Sequence, residues 1–338
     1  MSPPAVEPVS YAGATVLVTG ATGLIGRELV RLVGAAGARV RGVARRAPID
    51  PEIGVDYRVG DLMDRAFCAD AVAGCRYVFH LAGVRGSVGL GRTKAADFFV
   101  NNLLINTHMM EEARKAGVDR YLFASSVCVY APAELFVEDR AWEAPPHPSD
   151  AFAGWAKRMG ELQASAYREQ YGWDRIAIVR PVNTYGPWDN FDAATAQVIP
   201  ALIARVLGGE NPLKVWGDGT AVRDFLYSRD AARGMLLAFE RRASCEPVNL
   251  GSGRGYSVRE IVDAVLAATA AKPDVIWDTS RPSGERYRVA DVTRARRELG
   301  FEPAVTLTEG VQMTVDWYRK NADRVRGRRG AFAGVGAA

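Results

Sequence analysis

Histidine and cysteine are scarce in this chain, with three and four residues among 338. The cysteines, Cys68, Cys75, Cys128 and Cys245, form no Cys-x-x-Cys pair and no metal-ligand spacing. With so few imidazoles to join them, they argue against a zinc site, so no metal is expected. Free thiols fit a reducing cytoplasm. No apolar run approaches the ~20 residues that span a bilayer. The opening MSPPAVEPVS lacks the charged and apolar segments of a secretory leader. Net charge is only +4. Part of the excess sits in Arg324, Arg326, Arg328 and Arg329, and no basic residues gather on a folded face, which argues against nucleic acid as a partner. Internal repeats and long low-complexity segments are missing too. What remains is the composition of a soluble protein, 48% hydrophobic and 24% charged. The length suits one large domain or two closely joined ones.

The stretch VLVTGATGLIGR, residues 16–27, organises the rest. The apolar run Val16-Leu17-Val18 reads as a short buried strand. It breaks at Thr19 into a glycine turn and resumes with Leu24, Ile25, Leu29, Val30 and Val33 at helical spacing. A glycine turn lets backbone approach a phosphate, and the helix N-terminus offers unpaired N–H groups and a positive dipole end. Gly20, Thr22, Gly23, Leu24, Ile25 and Gly26 are therefore candidate cofactor contacts. The spacing is Gly-x-x-Gly-x-x-Gly, not the Gly-x-Gly-x-x-Gly dinucleotide fingerprint, so its weight comes from the strand–turn–helix setting.

Strand–helix units follow. Strands are expected at 38–44, 56–59, 77–81, 120–124 and 176–180, with long helices over about 93–116 and 151–171. This predicts an α/β fold, a Rossmann-type doubly wound parallel sheet. Beyond 182 the alternation fades, and a smaller α/β substrate domain is expected from 183–228 and 252–320. Residues 13–182, with about 229–251, form the dinucleotide domain. Residues 1–12 read as a flexible arm and 321–338 as a basic, disordered tail. The proline-rich stretch 131–148 is long enough for a lid or substrate loop. Ser257-x-x-Glu260 is a capping box opening a helix.

Several residues fall at carboxyl strand ends, where a doubly wound sheet binds ligands. Arg45 and Arg46 follow the second strand where a carboxylate would hold the ribose 2′-hydroxyl of NAD. Arginine there accommodates the 2′-phosphate of NADP, so NADP is expected, with NAD the alternative. Asp61, beside Leu62, faces the adenine or else caps the next helix. Leu81, Ala82 and Gly83 are lean enough to let backbone pass beside the cofactor. His80, in an apolar strand, reads as a packed core histidine. Asn101, Asn102, Asn106 and Thr107 are unusual in so apolar a helix, and a buried amide there must find a partner.

By the sixth strand the chain resembles the extended short-chain dehydrogenase/reductases of the nucleotide-sugar epimerase and dehydratase kind. The motifs are TGATGLIG (19–26), GDL (60–62), HLAG (80–83), SSVCVY (125–130), Lys157 in GWAK, RPVNTYGP (180–187), KVWGDGT (214–220), RDFLY (223–227) and RPSGERYRVAD (281–291). SSVCVY with NTYGPWDNF is most similar to GDP-mannose 3,5-epimerases and GDP-fucose synthases.

The resemblance implies a nicotinamide-dependent enzyme acting on a nucleotide-diphospho-sugar, with hydride transfer at a sugar carbon, C4. Ser126 matches the family serine and Lys157 the lysine that binds the nicotinamide ribose. Cys128 matches a cysteine acid/base, with a thiol pKa readily lowered beside a cation. Pro181 borders the cofactor. Asn183 matches a diphosphate ligand, Arg223 with Arg281 or Arg286 supplies guanidinium forks, and Lys214 to Trp216 lie along the base. The family's histidine or lysine partner to the cysteine is replaced by Gln197, beside Val198. Glutamine moves no protons, which counts against a two-base C3/C5 epimerisation and leaves single oxidation–reduction at C4, elimination and decarboxylation open. A homodimer through the 93–116 and 151–171 helices is implied as well.

The family tyrosine belongs four residues before Lys157, and that residue is Ala153. Three readings stand open: an introduced substitution, since Ala153→Tyr gives Phe-Tyr-Gly-Trp-Ala-Lys; an enzyme using another base; a chain that has lost catalysis. The rival from another class is a non-catalytic dinucleotide-binding sensor on the same fold.

Overall fold

Val16, Leu17 and Val18 lie in β1 (Thr15–Thr19), with all three side chains fully buried. A continuous apolar run is what a strand covered by helices on both faces requires. The computed structural model describes residues 8–84, 93–192, 195–280 and 285–325. In it β1 joins a seven-stranded parallel sheet with β2 (Arg39–Ala44), β3 (Asp56–Val59), β4 (Tyr77–His80), β5 (Arg120–Ala124), β7 (Ile176–Pro181) and β11 (Pro247–Leu250). The strand order is β11-β7-β5-β4-β1-β2-β3. The chain winds outward from β1 to β3, then returns to β4 on the other side of β1. The order thus reverses between β1 and β4, and a crevice opens at their carboxyl ends.

Alternate side chains of the strands feed two cores. Val16 and Val18 pack with Leu29, Val30 and Val33 of α1 (Leu24–Ala35) and with Met235 and Phe239 of α6 (Ser228–Arg241). Leu17, Val78 and Phe123 pack on the opposite face. Their partners there are Cys68 of α2 (Arg65–Val72), Met109 and Met110 of α3 (Ala95–Lys115), and Ala164 of α4 (Ala151–Tyr171). Each fully buried Leu or Val contributes about 1.5–3 kcal/mol relative to exposure.

Past β7 the pattern changes. A second sheet runs β12 (Gly255–Ser257), β10 (Val222–Tyr227), β14 (Tyr287–Ala290), β6 (Leu135–Phe136), with β8 (Asn183–Tyr185) also on β10. A two-stranded parallel ribbon joins β9 (Leu213–Trp216) to β13 (Val275–Asp278). A third core unites α5 (Val198–Leu207), α7 (Val258–Thr269) and α8 (Leu307–Val325) with these strands. The Ser257–Glu260 capping box is formed in full.

Three expectations are corrected. The 131–148 stretch is not a free lid. β6 lies within it and pairs with β14, and the guanidinium of Arg158, only 1% exposed, donates to the carbonyls of Val129, Ala141 and Ala144. A buried arginine spreading its donors over three carbonyls knits that loop to α4. Tyr11, assigned to the arm, is buried edge-on against Tyr77. The last helix continues to Val325, which is itself buried, so the segment assigned to the tail begins as helix. The rest of that segment, 326–338, lies outside the described residues.

Candidate active site

At the end of β1 the chain turns through Gly20, whose φ of +70° favours glycine. A methyl on Gly20 would stand 3.2 Å from the backbone nitrogen of Ala82, and one on Gly26 would lie 2.1 Å from the Gly20 carbonyl oxygen. The turn, β4 and α1 are therefore in backbone contact. Gly23 caps α1 without a side-chain bond, and no carboxylate stands in the first turn. The first turn of α1, opened by Leu24 and Ile25, therefore presents backbone N–H groups and a positive dipole end, which suit an anion.

His80 shows how this corner is held. The Thr19 hydroxyl accepts from the backbone N–H groups of Leu81 and Ala82, at 3.1 and 3.0 Å, and lies 2.9 Å from His80 Nδ1. His80 Nε2 lies 3.2 Å from Asn106 Oδ1. The pattern is self-consistent for a neutral ring with its proton on Nε2, the tautomer inferred from the partners. Burial drives the imidazole pKa down to about 3, with Lys157 adding to the shift. His80 is a packing residue, as the sequence indicates. Of the buried amides, Asn102 reaches backbone, accepting from the Val84 N–H and donating to the carbonyls of Val84 and Phe98, whereas Asn106 is paired through Oδ1 and its Nδ2 has no hydrogen-bond partner.

On the adenosine side, Arg45 and Arg46 are exposed just past β2. Asp61 does not cap α2. Its Oδ1 accepts from the Met63 N–H, while Asp64 caps the helix through the Ala66 N–H. Leu62 is buried below.

Across the crevice, Ser126 caps a short 3₁₀ turn, Val127–Val129, by accepting from the Cys128 N–H at 3.2 Å. Gly154 of α4 rests on that turn, since a methyl there would meet the Cys128 carbonyl oxygen at 2.3 Å. Lys157 Nζ donates to the Ala124 carbonyl at 2.7 Å, and a methyl on Gly83 would lie 3.7 Å from it. The lysine therefore stands between the HLAG segment and the serine turn. Burial lowers its pKa to about 8, against the raising pull of Cys128 and Glu161. Cys128 departs from expectation. Burial and Asp150 push its thiol up to about 11, outweighing the Ser126 hydrogen bond, Lys157 and Arg288. It is a neutral thiol near pH 7, a proton donor rather than a base. Ala153 is half-buried on the same helix, whereas neighbouring Phe152 is exposed and packs edge-on against Phe99.

Behind this strip, Arg180 and Glu161 form a buried two-pronged ion pair at 2.9 and 2.6 Å. Ser125 donates to Glu161 at 2.5 Å, and Arg180 also donates to the Tyr130 hydroxyl and the Glu138 carbonyl. Every charge is hydrogen-bonded, the condition under which a buried pair is tolerated.

At the substrate end, β8 pairs with β10, and Asn183 Nδ2 donates to the Asp224 carbonyl at 3.1 Å. One of its donors is thus committed to structure. Arg223 of β10 is beside Arg288 of β14 in register. Burial, aided by Arg288, lowers its pKa to about 10. Arg286 is exposed ahead of β14, and Arg281 lies outside the described residues. Lys214 and Trp216 share the exposed face of β9. Gln197 caps α5 ahead of Val198, and Pro181 ends β7. The sequence reading missed Asp150, Glu285, Arg288 and His147, which form one cluster beside Arg223. The signal available was the two-residue step from Arg286, just ahead of β14, to Arg288 within it.

The glycine cradle, which a side chain would fill, and the uncapped helix end fit a dinucleotide diphosphate. Among the described residues no group of three or more His, Cys, Asp or Glu could hold a metal.

Comparison with known proteins agrees. The model of the NAD dependent epimerase/dehydratase family matches residues 16–251, and the chain belongs to that family. GDP-L-fucose synthase 1 of Arabidopsis thaliana is 31% identical, over 94% of this chain and 96% of its own. An epimerase from Methanothermobacter thermautotrophicus superposes with a TM-score of 0.84 at 26% identity, covering 94% of this chain and 96% of its own. A GDP-L-fucose synthetase from Naegleria fowleri, bound to NADP, gives 0.82 at 25% identity, covering 96% and 99%.

Proposed function

We propose that this member of the NAD dependent epimerase/dehydratase family is a nucleotide-diphospho-sugar epimerase or reductase that exchanges hydride at a sugar carbon, C4. One observation carries the reading. The glycine cradle at the switch point, Lys157 and the Ser126–Cys128 turn converge on one crevice, 3.7 Å separating the lysine from the Gly83 Cβ position. The cofactor, when bound, supplies hydride exchange at its nicotinamide.

This chain's residues do the rest. Gly20, Gly23 and the opening N–H groups of α1 hold the diphosphate, and Arg45 and Arg46 favour NADP over NAD through the 2′-phosphate. Lys157 orients the nicotinamide ribose. Ser126 polarises the sugar oxygen, and Cys128, a neutral thiol, donates a proton. Arg223 and Asn183 hold the substrate diphosphate, with Lys214 and Trp216 along the base. Gln197 transfers no proton, which favours a single oxidation–reduction at C4 over two-base epimerisation. Val100, Phe152 and Leu162 are exposed apolar residues on α3 and α4, which supports a homodimer through those helices. No helix among the described residues is long and apolar enough to cross a membrane, and the four cysteines are free, which suits the cytoplasm.

A second reading, a non-catalytic dinucleotide sensor, is favoured by Ala153. The test is turnover. The chain and its Ala153→Tyr variant are incubated with NADP or NADPH and GDP-, UDP- and dTDP-sugars. Cofactor absorbance is followed and products are identified by NMR. A product from either form supports the enzyme reading. Dinucleotide and nucleotide-sugar binding with no turnover in either form leaves the sensor.

A further inference from the structure

Asp150 stands at the N-cap position of α4, without a side-chain capping bond and three residues ahead of Ala153. Residues three apart on a helix lie on one side of it. The carboxylate Oδ2 of Asp150 is 2.7 Å from Nη1 of Arg288, whose Nε is 2.9 Å from Glu285 Oε2. Glu285 Oε1 is 3.5 Å from His147 Nε2. These side chains are 12–22% exposed, so most of each is covered by the protein. The charge of Asp150 bears on both the Cys128 thiol and the Arg223 guanidinium. The carboxylate is therefore near enough to act on both the proposed reaction centre and the proposed phosphate ligand.

The other titratable groups near Asp150 are poor proton acceptors. His147 Nδ1 takes the Ser149 N–H at 3.1 Å and lies 2.7 Å from its hydroxyl, which turns Nε2 with the proton toward Glu285. Cys128 is already protonated near pH 7. Lys157 Nζ is directed at the Ala124 carbonyl. Arg223 and Arg288 accept nothing. Glu285 is engaged by Arg288 and His147. Asp150 is held by Arg288 through Oδ2 and is the carboxylate whose charge reaches the Cys128 thiol.

We propose that Asp150 is the proton acceptor for the sugar hydroxyl in this chain, acting from the start of α4 in place of a hydroxyl at position 153. The inference rests on the proposed hydride exchange at a sugar carbon. The proton of the O–H bond passes to the Asp150 carboxylate, and the electron pair of that bond closes the carbonyl. The hydrogen on carbon departs with its electron pair to the nicotinamide, the oxidant of that reaction. In the return direction Asp150 gives the proton back. Arg288 is a positioning residue that fixes the carboxylate.

The test compares Asp150→Asn and Asp150→Glu with the unmodified chain, and repeats Asp150→Asn together with Ala153→Tyr. Proton transfer by a placed side chain is worth ~10²–10⁴-fold. Asp150→Asn should therefore lower kcat at least about 100-fold and remove the acid limb of the pH–kcat profile, with partial recovery in Asp150→Glu. In the tyrosine background the loss should shrink to less than about 10-fold, because the two acceptors are redundant. Calorimetry on cofactor-free protein gives a readout apart from turnover. Asp150→Asn should weaken the nucleotide-sugar about 5–10-fold, the worth of one hydrogen bond, and leave the matching nucleoside diphosphate unchanged. That last result also shows the variant is folded.

The proposal is overturned if Asp150→Asn keeps kcat within a few-fold, if the loss is equal in both backgrounds, or if only the tyrosine form turns over. Binding of nucleotide-sugar without turnover in either form overturns it too. Absence of any nucleotide-sugar binding removes the functional reading itself, and this proposal with it.

Discussion

At the scale of single residues, burial decides which titratable groups can act. His80 was legible as a core residue because it sits in an apolar strand, and its two ring nitrogens are both used within the fold. Its pKa of about 3 lies below the ordinary value near 6.5, so the unfolded chain binds the extra proton between those values. Stability from this group is fully present above pH 6.5 and is lost as pH falls toward 3, at about 1.4 kcal/mol per pH unit. His80→Gln should remove that slope while costing about 1 kcal/mol or more at pH 7, as urea unfolding at a series of pH values would measure. An unchanged slope would place the acid sensitivity elsewhere. Cys128 was legible by position but not by ionisation. The sequence shows a lysine and arginines that lower a thiol pKa and does not show the desolvation that outweighs them.

At the scale of elements, the glycine turn and α1 act as one unit. Gly26 and Gly34 both lie in α1, yet only Gly26 abuts backbone: a methyl on Gly34 would meet Val40 Cγ2 at an ordinary 3.7 Å. Gly34→Ala should be neutral to stabilising by up to about 1 kcal/mol, following helix propensity. Gly26→Ala should displace the turn, lower the melting temperature and weaken dinucleotide binding. Thermal unfolding and NADPH fluorescence titration of the two variants check this, and equal behaviour would show that the turn is not in contact as described. The strands and helices of the parallel sheet were readable because their apolar runs are continuous and their helices periodic. β6 was not, since two residues inside a proline-rich stretch carry no period. The Asp150–Arg288–Glu285–His147 cluster was not either, because its members meet only when β14 and the start of α4 are brought together.

At the scale of the whole molecule, the winding order places the crevice between β1 and β4, and the second sheet supplies Arg223, Arg288 and Asn183 to its rim. Val100, Phe152 and Leu162, 44–51% exposed, are apolar residues that α3 and α4 present to the surface. Sedimentation should give twice the 36.6 kDa chain mass, and Leu162→Glu should shift it to one. A monomer in the unmodified protein would remove the dimer from this account.

The central claim is that the crevice binds a nicotinamide dinucleotide, with a preference set by Arg45 and Arg46. Calorimetric titration of the unmodified chain with NADP and with NAD tests it directly. The account predicts saturable one-to-one binding of NADP, with NAD weaker, and that the difference narrows when both arginines are replaced by alanine. Failure of both dinucleotides to bind would contradict it.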